Sequence, residues 1–185
     1  MTAHSNFIRQ QGNYKELLCY QKSVCVYDVT YYFANNFFSR GDRTIDQMVQ
    51  AARSCKQNIA EGCAASTTSK ETEIKLINVA RASLCELLED YEDYLRVRKL
   101  ELWTENDVRY QQARKVCAKH NDSLFYTVAI EKRSDETIAN IAIILIHQTD
   151  TLLKGLFNRA KANFLENGGI KEEMLRERLA YRKSH

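Results

Sequence analysis

The residues of this chain that could do covalent or metal chemistry are few and scattered. Six cysteines, Cys19, Cys25, Cys55, Cys63, Cys85 and Cys117, include no Cys-x-x-Cys pair, the spacing that lets two thiolates grip zinc or cycle as a redox couple. A di-iron bundle needs Glu-x-x-His so that both side chains reach one metal from successive turns. Ile144 stands three residues before His147, and Cys117 three before His120, so that ligand set is missing. Gly-x-Ser-x-Gly, a phosphate loop ending in Gly-Lys-Ser/Thr, and His-Glu-x-x-His are missing as well. A cysteine nucleophile near His120 or His147 is the remaining catalytic option, and small hydrophobes on helix faces account better for six dispersed thiols. The expectation is no catalytic residue, no metal, no cofactor and no enzyme.

Polar groups that interrupt apolar rows are the next candidates. Arg81 falls inside the row Ile74, Ile77, Leu84, Leu88, Tyr91 and Leu95, and a guanidinium there needs a carboxylate or several carbonyls. Glu61, on the preceding helix, is the expected partner, with Asn58, Ser83 and Glu86 completing a polar cluster. That cluster either fixes helix register or faces a ligand or partner. Arg43, Arg53 and Lys56 on the second helix, with Arg96, Arg98 and Lys99 ending the third, are either an ordinary solvated face or a basic surface that symmetry multiplies in a ring.

The elements that must position these groups read as long helices. Leu17, Tyr20, Val24, Tyr27, Tyr31, Ala34 and Phe38 recur at alternating steps of three and four, with Val26, Val29, Phe33 and Phe37 beside them. That apolar surface is wider than one core stripe requires, which points to a partner helix. Thr44 with Gln47, and Thr68 with Glu71, look like capping boxes opening the next two helices. Thr104 is read as capping a charge-rich helix, and Asn121 to Arg133 as a strand-like or irregular link. Ser134 then precedes the row Ala139, Ala142, Ile146, Thr149, Leu153, Leu156, Ala160 and Phe164, ended by Gly168 and Gly169.

Composition bounds the rest. The 185 residues are 44% hydrophobic and 28% charged, with no proline and six glycines, which suits one domain of long helices. A net charge of +3 falls short of a dedicated nucleic-acid domain. No apolar run approaches the roughly 20 residues needed to span a bilayer, and Met1 to Gln11 lacks a signal-like core, so a cytoplasmic protein without membrane contact is expected.

Two motifs carry a family likeness. Asn58, Ile59, Ala60, Glu61 and Gly62 end the second helix, and Ala80, Arg81, Ala82, Ser83, Leu84, Cys85 and Glu86 lie within the third. The chain resembles the bacterial four-helix-bundle proteins encoded in intervening sequences of 23S ribosomal RNA genes, which have Asn-Ile-Ala-Glu-Gly followed by Ala-Arg-Gly-Ser-x-x-Glu. Ala82 replaces that family's glycine. The likeness covers about Tyr14 to Leu95, and Ser134 to Arg178 looks like the suffix region of a longer subfamily. It implies a homopentameric assembly, and one relative assists the reverse transcriptase of diversity-generating retroelements through a basic surface.

The resulting expectation is an all-α, up-and-down antiparallel four-helix bundle with a helical insertion and a short C-terminal helix. Residues 1–13 form an N-terminal segment, 14–166 the bundle, with helices near 14–38, 44–63, 69–99 and 135–166 and the insertion near 104–120, and 167–185 the tail. The expected function is a non-catalytic homo-oligomeric, pentameric adaptor or scaffold engaging RNA, DNA or a reverse-transcriptase-like protein. The alternative is a purely structural protein-protein interaction module.

Overall fold

The computed structural model describes residues 13–184, so the expected N-terminal segment lies, except for Asn13, outside the described residues. A short 3-10 turn at Tyr14–Glu16 leads into α1 (Leu18–Phe37), α2 (Arg43–Ala65) and α3 (Lys70–Arg98). A non-helical stretch then leads to α4 (Val108–Lys119), α5 (Ser123–Ile130), α6 (Asp135–Asn167) and α7 (Ile170–Ser184).

The helices begin where side chains satisfy the otherwise orphaned first-turn N–H groups. Asp42 accepts from the N–H of Thr44, Ser69 from that of Thr72, Asp107 from that of Arg109, and Ser134 from that of Thr137. Three starts therefore differ from the sequence reading: Asp42 caps instead of Thr44, Ser69 instead of Thr68, and Asp107 instead of Thr104. At each place a second capping residue stood close by in sequence, and the backbone geometry chose between them. Gly168, at φ +73°, ends α6 in a conformation that L side chains rarely adopt.

Helices α1, α2, α3 and α6 pack as a ring in which each touches the next. The contacts between α3 and α6 form an antiparallel ladder: Tyr94 Oη donates to Asp135 at 2.9 Å, Arg81 Nε to Asp150 at 2.8 Å, and Lys70 Nζ to the carbonyl of Gly168 at 3.1 Å. The core runs through Val26, Val29 and Phe33 of α1, Met48, Cys55 and Ile59 of α2, Ile77, Leu84, Tyr91 and Leu95 of α3, and Ile138 to Ile146 of α6. Burying such side chains contributes about 1.5–3 kcal/mol each before entropy is counted.

Helix α6 is buried without a break from Ile138 to Ile146, all round its circumference. Helices α4 and α5 are the reason: α4 packs on α6 and α5 on α1, covering that side of the bundle. The expected irregular link at Asn121 to Arg133 is thus a correction, since α5 occupies its middle. Its eight residues are too short to show helical periodicity in sequence, and its stability comes from docking Tyr126 and Ile130.

The core face of α1 is also rotated from the one read first. Val26, Val29, Phe33 and Ala34 are fully buried, while Tyr20, Val24 and Tyr27 are half-buried and Tyr31 is 54% exposed. The bundle hides Val26, Val29 and Phe33 of the flanking row together with Ala34, and leaves Phe37 partly buried.

Candidate functional site

The polar cluster around the two motifs is rearranged relative to the sequence reading. Arg81 bonds Asp150 of α6 and does not pair with Glu61, which is exposed on the outer side of α2. The geometry is simple: Arg81 leaves α3 toward α6, and Glu61 leaves α2 toward solvent. Asp150 also accepts Lys154 at 2.8 Å. Burial alone would push the Asp150 carboxyl up, and hydrogen bonds from Lys154 and Arg81 outweigh it and hold the group below its ordinary value.

Asn58 and Ser83 do belong together, through an intermediary. Ser83 Oγ meets Ser54 Oγ at 2.9 Å, and Asn58 Nδ2 donates to the Ser54 hydroxyl at 3.1 Å and its carbonyl at 2.8 Å. This small network ties α2 to α3. Gly62 is buried against α3, yet an added Cβ would sit 3.4 Å from the Leu76 Cβ, an ordinary contact. Glu86 is exposed. Val79, Ala82, Glu86 and Glu89 fall at helical spacing on the outer face of α3, so the position where the motif has glycine looks outward.

The basic residues divide into two groups. Arg43, at the start of α2, shares one end of the bundle with Arg96, Arg98 and Lys99, at the finish of α3. Arg96 is paired with Asp93 at 2.6 Å, and the Arg98 guanidinium lies 3.8 Å from the Tyr94 ring centroid and 5.2 Å from that of Phe38. Lys99 closes α3 at φ +56°. Arg53 and Lys56 sit about 15–20 Å farther along α2, at 1.5 Å rise per residue. Lys56 Nζ lies 4.1 Å above the ring of Tyr27, whose neighbour Tyr31 is 6.2 Å away, ring centroid to centroid.

A family model described as 23S rRNA-intervening sequence protein matches residues 15–119 of this chain. The chain belongs to that family. No curated protein and no solved structure matches it.

As a 23S rRNA-intervening sequence protein, the chain carries the family match through α1, α2, α3 and α4, beyond the Leu95 limit of the motif likeness. The match stops before α5, the helix that sequence periodicity missed. Among the described residues no helix is long and apolar enough to cross a membrane, and no three His, Cys, Asp or Glu side chains are grouped to hold a metal ion.

Sequence reasoning missed three further residues. Lys22 is 3% exposed and has no carboxylate partner among the described residues. Its ammonium donates to the carbonyls of Cys117 and His120, at the end of α4, where the helix dipole favours a cation. Burial pulls its pKa down. Asn140, 2% exposed, accepts from the Trp103 N–H and donates to the Glu101 carbonyl, both at 2.8 Å, which anchors the stretch between α3 and α4. Trp103 itself is 8% exposed. A lysine inside the α1 apolar pattern was the available signal for Lys22. Asn140, inside the α6 apolar run, was the equivalent one.

A groove of about 890 Å³ runs between α1, α4, α6 and the Leu102–Glu105 stretch. Leu18, 52% exposed, and Leu102, 45% exposed, stand on its rim.

Proposed function

We propose that this chain is a non-catalytic scaffold that self-associates through the outer edge of α1 and offers its basic ends to RNA, DNA or a nucleic-acid enzyme. The observation that carries this reading is the tyrosine edge. Tyr20, Val24, Tyr27 and Tyr31 recur at helical spacing, and the chain's own helices leave them half-buried or exposed. Aromatic side chains of this kind are enriched at the centres of protein interfaces.

Two further features support the adaptor role. Glu61, Ala82 and Glu86, all at motif positions, are exposed on the outer side of α2 and α3, where the bundle has no use for them. The pole formed by Arg43, Arg96, Arg98 and Lys99 would recur in every copy of a ring, and each phosphate it neutralised would add salt dependence. A pentamer is the assembly that the family likeness suggests.

Light scattering on the purified protein at micromolar concentration is the first test. Assembly gives a multiple of 21.5 kDa, and a Tyr27→Ser/Tyr31→Ser double variant shifts the mass toward one copy while keeping its helical circular dichroism. A wild-type monomer would sink the reading. Anisotropy of labelled RNA and DNA at ~50 and ~200 mM salt then tests the partner, with a loss of tenfold or more expected across that range if three or more phosphates are contacted.

The purely structural module is the second reading. It is favoured by the small net charge of +3 and by the fact that Arg96, Arg98 and Lys56 already have partners on their own chain. Assembly without any salt-dependent nucleic-acid binding would select it.

A further inference from the structure

The groove beside α4 and α6 holds unmet hydrogen-bonding capacity. The Trp103 indole Nε1–H and the Gln148 Oε1 are buried, and neither has a hydrogen-bond partner among the described residues. Buried donors and acceptors are almost always paired, so two orphans on residues that line one groove need a reason. The orientation of the Gln148 amide follows from its other end: Nε2 donates to the Arg114 carbonyl at 3.0 Å, which leaves Oε1 as a fixed acceptor. Trp103 is fixed from behind, by Asn140 on its backbone and by the Arg109 guanidinium 5.2 Å from its ring.

The site therefore offers one donor in Trp103, one acceptor in Gln148 and an aromatic wall in Tyr110. Its volume of about 890 Å³ is within the range of ~300–1,000 Å³ usual for small-molecule pockets. Charge selects neither sign. Lys22 is committed to the α4 carbonyls and Asp150 to Arg81 and Lys154, and the remaining cations Arg114 and Lys115 are balanced by Glu92 and Glu105. A ligand with a neutral, planar head that both accepts and donates hydrogen bonds matches this lining.

We propose that the groove binds a nucleobase, stacked on Tyr110, with the Trp103 indole N–H and Gln148 Oε1 reading its polar edge. Both atoms lie beneath the groove surface, so the base reaches them by displacing the half-exposed rim side chains Leu18 and Leu102. The base comes either from a free nucleotide or from the end of a single strand. This site does not depend on the self-association described above, since every lining residue belongs to one chain.

Trp103 is the chain's single tryptophan, so its fluorescence reports the site directly. The first arm titrates the four ribonucleoside monophosphates into the full protein, up to millimolar concentration. The second arm uses short single-stranded oligonucleotides. A saturable change with at least one of these probes is expected. A response in the first arm assigns the free nucleotide, and one confined to the second assigns the strand end.

Calorimetry on Gln148→Leu and Trp103→Phe, each checked for native circular dichroism, should show binding weakened about five- to tenfold, the usual effect of losing one hydrogen bond to a buried group. Tyr31→Ser should bind as the wild type does even if it no longer assembles, which separates failure of this site from failure of the scaffold reading. Absence of a saturable response in both arms, or unchanged affinity in both groove variants, would overturn the proposal.

Discussion

At the scale of single residues, the Arg81–Asp150 pair is the polar contact whose consequences are easiest to measure. The Asp150 pKa is lowered in the folded state, so the carboxylate stabilises the fold in full above its unfolded value of about 3.9 and that stability is lost as pH falls through the native pKa. Asp150→Asn is expected to cost about 1–2 kcal/mol at pH 7, the scale of a charge-assisted hydrogen bond at a partly buried site. Urea melts at pH 7 and pH 3 should show that difference shrinking at the lower pH. Arg81 itself was legible as a residue needing a partner, because it interrupts an apolar row. The partner was not legible, since Glu61 and Asp150 are both carboxylates and only the rotation of α3 decides which one it meets.

The thiols belong to the same scale. Cys19, Cys25, Cys55 and Cys117 are buried, and burial pushes the Cys25 thiol up to about 12, so these groups stay protonated and unreactive near neutrality. Cys85 is exposed on the outer face of α3. Thiol titration of the native protein should modify Cys85 first, with the four buried groups reacting only after denaturation.

At the scale of elements, the attachment of α4 and α5 to the bundle rests on a few buried contacts. Lys22 holds the last carbonyls of α4, Tyr126 Oη donates to the His120 carbonyl at 2.9 Å, and Ser123 Oγ bonds Asp28. Lys22→Met keeps the length of the side chain and removes the donor, leaving those carbonyls to Tyr126 alone. The expected cost is about 1–3 kcal/mol, the penalty for buried acceptors that lose a donor. Hydrogen exchange should locate it, with faster exchange across α4 and α5 and little change in α2 and α3. An equal rise through all helices would show that Lys22 supports the whole core and not this attachment.

The long helices could be read because each carries its own apolar period and a capping residue at its start. Helix α5 could not, since eight residues such as Ser123–Ile130 contain barely two turns, and docking on α1 decides their conformation. The basic residues show the same limit. All six were visible as charges, and the antiparallel arrangement of α2 and α3 is what gathers Arg43 with Arg96, Arg98 and Lys99 and leaves Arg53 and Lys56 apart.

At the scale of the whole molecule, the bundle has two unlike sides. Helices α4 and α5 cover α1 and α6, while the outer edges of α1, α2 and α3 remain open. If assembly uses the α1 edge, attaching a bulky maleimide to Cys85 on α3 should leave the mass in solution unchanged, as light scattering can check. Collapse of the assembly on labelling would move the contact to the Val79, Ala82 and Glu86 face.

The amino-acid sequence alone determined the all-helical class, the order of the long helices and the family, because amphipathic period, capping chemistry and contiguous motifs are local properties of the chain. Tertiary structure alone decided which face of α1 is core, which carboxylate Arg81 meets, and that Lys22, Trp103 and Gln148 line one groove. Those outcomes depend on how helices far apart in sequence rotate and cross, and packing settles that only when the whole bundle closes.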